Sequence, residues 1–185
     1  MNQGHLAWYG LYVRPRFENV VTSTLSRKGV DVFMPTYKTR SIPNEHRRIE
    51  VPLFPSYVFC RTQAAEVRSL LMTPGVVHIA GNGAGVTPID EVEMAAIKLV
   101  VQAGIRCQPC QFLETGRWVR VADGVLCNLK GILADSGHGT RIVVGVSLLQ
   151  RAVLVELGEG TRVVPVSHTG AASNTGIIGL VSDSS

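Results

Sequence analysis

The sequence predicts an α+β fold in two parts: an antiparallel sheet with flanking helices over residues 1–104, then a small β-barrel over residues 116–166. Three observations carry that expectation. Before residue 104, apolar positions alternate between a spacing of two and a helical spacing, in the order β-α-β-β-α-β-α. After residue 116 the chain breaks into five short β-branched runs with glycine turns between them, the pattern of a small barrel. Residues 105–115 hold Pro109 and two cysteines without periodicity and read as a linker between the two.

The elements follow in order. Residues 8–13 alternate large side chains and read as a strand. Pro15 suits a first helical turn, and Phe17, Val20, Val21 and Leu25 recur at helical spacing as far as Gly29, a natural stop. Residues 30–37 read as a second strand, and 38–50 as a polar hairpin tip around Pro43-Asn44. Pro52 and Pro55 bracket Leu53-Phe54 and lead into a strand at 57–61, with Tyr57 and Phe59 on one side and Val58 and Cys60 on the other. Val67, Leu70 and Leu71 suggest a short helix ended by Pro74-Gly75, followed by a strand at 76–80. Asp90 caps a further helix with Glu93 three residues on, and Val92, Ala95, Ala96, Leu99 and Val100 form its buried stripe. The barrel strands fall at 118–121, 131–134, 141–146, 152–157 and 162–166, and residues 167–185, rich in Ser, Gly and Ala, read as a disordered tail.

Composition narrows the class. With 45% hydrophobic and 17% charged residues, the chain has material for a core and too little charge for disorder. A net charge of +4 permits nucleic-acid contact without making a polycation, and the first 104 residues hold 11 basic and 8 acidic side chains against 7 and 6 in the rest. Neither a secretory signal nor a run of about 18 apolar residues is visible, so a cytoplasmic protein without membrane contact is expected. Four cysteines fit a reduced compartment.

Few constellations suggest chemistry. Cys107-Gln108-Pro109-Cys110 has redox or zinc spacing, but no helix opens after it and no second cysteine pair completes four ligands. The Gly81–Gly85 run does not open into a helix as a phosphate loop must. Asp135-Ser136-Gly137-His138 crowds hydrolase residue types into one turn, whereas a triad draws its members from separate elements. No enzyme, no cofactor and no metal is expected. Clustered cations are better placed: Lys38, Arg40, Arg47 and Arg48 on the hairpin tip, with Arg14 and Arg16 at a strand-to-helix turn, suit phosphates. Trp8, Tyr12, Tyr57 and Phe59 load two strands with more aromatic surface than one small core face needs, and part of it reads as a docking groove.

These stretches together resemble the NusG family of transcription elongation factors. Trp8-Tyr9 resembles its first strand, Pro52-Leu53-Phe54-Pro55-Ser56-Tyr57-Val58 its most recognisable internal block, and Ile89-Asp90 the entry to its last helix. Val119-Arg120-Val121, Asp123-Gly124 and Asn128-Leu129-Lys130-Gly131-Ile132 resemble the KOW motif. The resemblance implies an RNP-like N-terminal part that binds RNA polymerase and an SH3-like KOW barrel that recruits a further partner, in a monomer. It implies that Tyr12, Phe54, Tyr57 and Phe59 dock on the clamp helices of the β′ subunit, and that Arg68 and Ser69 face the β gate loop. The six cations named above would approach the non-template DNA strand and the upstream fork. Bridging clamp and gate loop would suppress pausing by a population shift, not by chemistry. The barrel loop, which contacts Rho or ribosomal protein S10 in the general factor, usually carries an aromatic where Leu149 stands and Gly where Gln150 stands. Leu148-Leu149-Gln150-Arg151 instead resembles specialised paralogs (RfaH/UpxY-like) of polysaccharide operons, favouring an operon-specific antiterminator over the housekeeping factor. A KOW-type RNA- or ribosome-binding protein is the further alternative.

Overall fold

The computed structural model describes residues 5–41, 44–134 and 140–167, without the side chains of residues 40, 41 and 44–48. Strand β1 (Leu6–Val13) turns through Arg14-Pro15-Arg16 into helix α1 (Glu18–Arg27). Gly29, at φ +80°, lets the chain leave α1 for β2 (Asp31–Phe33). The strand expected over 30–37 is interrupted at Pro35, and β3 (Thr36–Ser41) pairs separately with β4 (Asn44–Pro52) as a two-stranded hairpin. Then come β5 (Tyr57–Gln63), a 3-10 helix (Val67–Met72) and β6 (Val76–Ile79). Helix α2 (Glu91–Gln102) starts where Asp90 accepts from the Val92 and Glu93 N–H groups at 2.6 and 3.3 Å.

Strands β2, β5, β1 and β6 form an antiparallel sheet in that order. Its strict alternation separates two faces. Tyr9, Leu11, Val13, Val58 and Cys60 pack with Val21 and Leu25 of α1. Phe17 and Val20, expected in that stripe, stay 38% and 50% exposed, and Glu18 is buried in their stead. Trp8, Tyr12, Tyr57 and Phe59 face the opposite way. Helix α2 crosses this second face, presenting Met94, Ile97 and Val100, whereas Val92 is 71% exposed. The expected stripe was therefore rotated, because α2 is covered from two directions and its inward side is set by both.

The second cover is the rest of the chain. Strands β7 (Cys107–Gln111), β8 (Trp118–Val121), β9 (Lys130–Ala134), β10 (Arg141–Val146), β11 (Arg151–Glu156) and β12 (Val163–Pro165) make an antiparallel sheet in the order β12-β8-β9-β10-β11-β7. The sheet is open: among the described residues β12 and β7 are its unpaired ends, in place of the closed barrel expected. Residues 107–111, read as linker, are a strand because β11 offers them a full ladder from Val155↔Cys107 to Arg151↔Gln111. The inner face (Val119, Val121, Ile142, Val144, Val153, Val155) joins Trp8, Phe54, Phe59, Met94 and Ile97 in one continuous core. The outer face carries a small cluster of Ile132, Val143 and Ala152 roofed by Phe112 and Trp118. Residues 168–185 of the expected tail, and the Asp135–His138 turn, lie outside the described residues. No described helix is long and apolar enough to cross a membrane.

Candidate functional site

The site is built on the β1/β5 pairing. Register sets Tyr12 opposite Tyr57 and Gly10 opposite Phe59, so the aromatics of both strands share one face. The chain enters β5 through a bend fixed by three hydrogen bonds. Val13 N–H donates to the Ser56 carbonyl at 2.8 Å, Ser56 N–H to the Glu18 carboxylate at 2.9 Å, and Tyr57 N–H to the Phe54 carbonyl at 3.0 Å. Ser56 accepts a left-handed φ of +64° in that bend, a strained position for a residue with a Cβ. The result sends Phe54 back under the sheet, edge-on to Phe59 with ring centres 5.2 Å apart.

Two aromatic groups follow. Tyr12 meets Tyr57 edge-on at 5.4 Å and stacks on His78 at 4.7 Å, and all three stay at the sheet's rim. Phe54, Phe59, Phe33 and Trp8 form a chain of rings inward, closed by the Lys98 ammonium 3.8 Å from the Trp8 ring centre. Of the four aromatics expected to dock a partner, Tyr12 and Tyr57 are half-buried while Phe54 and Phe59 are 1% and 0% exposed.

What covers that face is the other predicted binding segment. After β10, a 3-10 turn (Ser147–Leu149) lays Leu149 over Gly10, where an added Cβ would come within 3.2 Å of Leu149 Cδ2. Leu149 is 7% exposed and Leu148 packs beside it. Gln150 takes a left-handed φ of +50° without being glycine, steadied by its own Nε2–H donating to the Ser147 carbonyl at 3.0 Å. The Ser147 N–H donates to both oxygens of Glu93 at 3.1 and 3.2 Å, tying the turn to α2. Burial pushes the Glu93 carboxyl up, the Ser147 bonds offset part of this, and Asp90 adds to the rise. Burial likewise raises the Tyr57 phenol, opposed by the positive charge of Arg151. Tyr57, His78, Leu148, Leu149 and the Gly81–Gly85 loop line a cleft of about 350 Å³ along this seam.

The sequence alone does not mark Gly10 and Glu93 as site residues: it offers Glu93 only as the capping partner of Asp90 and Gly10 only as part of a strand. A glycine inside a strand pattern is the signal that something approaches closely there.

The remaining candidates are scattered around this face. Arg14 and Arg16 are exposed on the β1–α1 turn, which the Arg14 N–H pins to the Gly75 carbonyl at 2.9 Å. Arg68 and Ser69 are exposed on the 3-10 helix that leads to Gly75, with Ser69 Oγ donating to the Glu66 carbonyl. Lys38 lies 4.0 Å from Glu50, both well exposed, a pair of small energetic weight. The side chains of Arg40, Arg47 and Arg48 lie outside the described residues, although the ladder sets Arg40 opposite Arg48. Cys107 and Cys110 stand three positions apart on a strand and so point to opposite faces, and burial raises both thiols. Neither a close dithiol nor a thiolate nucleophile results. Among the described residues no cluster of His, Cys, Asp or Glu could hold a metal.

A bend of Pro52–Val58 feeding an aromatic sheet face fits one family model, described as "Transcription termination factor nusG", which matches residues 6–98. The chain belongs to the NusG family. Among solved structures it is similar to one describing domain interaction in Thermotoga maritima NusG, with 16% identity and a TM-score of 0.51. That match covers 82% of this chain and 93% of the other. At that identity the likeness concerns the fold alone. A more distant match is the MjSpt4:Spt5 complex in conformation A, at 14% identity and a TM-score of 0.28, covering 85% of this chain and 98% of that one. No curated protein sequence is significantly similar to the chain. The NusG match ends at Lys98, so the second sheet, with Leu149 and its turn, lies beyond it.

Proposed function

We propose that this NusG-family protein is a bacterial transcription elongation and antitermination factor that docks on RNA polymerase through the β1/β5 face. Tyr12, Phe54, Tyr57 and Phe59 would meet the β′ clamp helices, and Arg68 and Ser69 the β gate loop. Arg14, Arg16 and the Lys38–Arg48 hairpin would meet the non-template strand. The carrying observation is the Tyr12–Tyr57 pair beside Phe54 and Phe59 on one face inside the family-matched region. It works by binding, without catalytic chemistry or a cofactor, as a cytoplasmic monomer.

In this reading residues 1–104 are the polymerase-binding domain and 116–166 a KOW domain whose open sheet is joined by β7 from the former linker. The seated Leu148–Arg151 turn makes the observed arrangement a closed state that must open before the clamp helices can reach Phe54 and Phe59. The use of Leu149 as the cover, where an aromatic is usual, favours an operon-specific paralog over a factor coupling polymerase to Rho or ribosomal protein S10. The test is co-purification with core polymerase and a pausing assay. Tyr57→Ala should weaken polymerase binding about tenfold, the loss typical of one aromatic contact, with the melting temperature little changed. Unchanged binding by a folded variant would remove the clamp-docking assignment.

A further inference from the structure

Two open strand edges meet at one cleft. Among the described residues β3 pairs only with β4, and β7 only with β11. Between them lies a cleft of about 1040 Å³, lined in succession by residues 36–39 on one wall and 105–108 on the other. Successive strand residues share a cavity only where the backbone edge, not a face, turns toward it. The hydrogen bonds agree. Glu156 N–H donates to the Arg106 carbonyl at 2.9 Å, so the backbone groups of Ile105 and Cys107 point away from β11. Leu53 N–H donates to the Pro35 carbonyl at 2.8 Å, so those of Thr36 and Lys38 point away from β4. Pro109, without an N–H, ends the usable edge of β7. The charges in the cleft are already matched, Lys38 with Glu50 at 4.0 Å and Arg106 with Glu156 at 3.6 Å, and Val101 and Leu154 add apolar surface. An occupant that fits is therefore extended, uncharged and apolar. At about 3.3 Å along, 4.8 Å across and 10 Å deep per strand residue, the volume holds about six residues.

We propose that residues 177–181 of this chain fill the cleft as a strand between β3 and β7, clasping the hairpin to the second sheet. Ile177-Ile178-Gly179-Leu180-Val181 is an uncharged apolar run set among Ser, Gly, Ala and Asn, the pattern of a short strand. It matches the cleft in length and in charge. The described residues end at Ser167, just past β12 at the far end of the second sheet. From there the ten residues to Ile177 span up to about 33 Å. Crossing the sheet from β12 to β7 takes about 24 Å, five spacings of about 4.8 Å. The tether therefore reaches. Main-chain hydrogen bonds on both sides would join the hairpin of the first part to the second sheet. The placement of this strand does not depend on polymerase docking.

The test is amide hydrogen exchange by NMR on the full chain, wild type and Ile178→Pro, beside a synthetic peptide of residues 168–185. In the wild type, residues 177–181 should exchange at least about tenfold more slowly than in the free peptide. Ile178→Pro removes a donor and breaks the strand, so exchange should quicken about tenfold at 177–181 and at the outward amides of Lys38 and Cys107 together. Amides of β10, in the core, should keep their rates, and Ser184→Pro, beyond the run, should change none. Residues 177–181 exchanging as fast as the free peptide would overturn the clasp, as would Lys38 and Cys107 amides indifferent to Ile178→Pro. Protection that grows with protein concentration, with a dimer on sizing, would give the cleft to the tail of a second copy and overturn it equally. Polymerase has no part in the readout, which keeps this result separate from the docking reading.

Discussion

The contact of Leu149 with Gly10 offers the sharpest perturbation. Leu149 is 7% exposed and seated over a strand glycine, so Leu149→Ala removes a nearly buried isobutyl group and leaves a void at the seam. Truncations of this kind lose about 2–5 kcal/mol, and the lower end applies at a seam able to collapse or admit water. A loss of about 2 kcal/mol from the closed state alone shifts the closed-to-open ratio about thirtyfold toward open. If polymerase binds only the open state, its apparent affinity rises by up to the same factor, because the free protein no longer spends most of its time closed. The assay is titration of immobilised core polymerase with wild type and variant, alongside a thermal melt. Tighter binding with a modestly lowered melt is expected. Unchanged or weaker polymerase binding by a folded Leu149→Ala protein would refute the claim that the turn masks the docking face.

Three further outcomes follow from the same structure. Glu93 has a raised pKa in the folded chain, chiefly from burial, so its protonation favours folding; that advantage is complete below the ordinary value of 4.5 and fades as pH rises through the raised one. Thermal stability should therefore lose this contribution as pH rises across that window, and Glu93→Gln should flatten that part of a pH-resolved melting profile. Cys110→Ser should leave polymerase binding and melting nearly unchanged, whereas Cys107→Ser, which puts a hydroxyl into the core, should lower stability by about 1–3 kcal/mol by denaturant melt without loss of any redox activity. Gly145→Ala would drive a methyl within 2.5 Å of the Phe112 ring and should lower stability by about 1–3 kcal/mol, read the same way.

Local signals in the sequence were reliable where one residue type dictates one geometry. Asp90 caps α2, Gly29 ends α1, and the Pro-bracketed bend delivers Tyr57 and Phe59 to one face, all as side-chain chemistry and the period of two require. What failed was anything decided by distant partners. The inward side of α2 could not be read because two sheets, not one, press on it. The strand at Cys107–Gln111 was invisible because Pro109 and the glutamines give no strand signal; its ladder comes from β11, some forty residues on. The candidate face was legible as an aromatic excess of which only part was expected to line a groove: Tyr12 and Tyr57 stay half-exposed at the rim, whereas Phe59, and Phe54, which the family resemblance added, are covered.

That covering changes the meaning of both predicted binding segments. From sequence the aromatics of the β1/β5 face and the Leu148–Arg151 turn stand as separate surfaces for separate partners, yet in the fold each occupies the other. Opening the seam frees both at once, so any ligand that binds one segment only when open must raise the affinity for a ligand of the other. Linkage makes the effect reciprocal and sets its ceiling at the stability of the seam. On the evidence of Leu149 and the two Glu93 contacts, that ceiling is a few kcal/mol, enough for coupling of tens to hundreds of fold. Glu93 and Gly10, neither of which need touch a partner, would then tune that coupling from inside the seam.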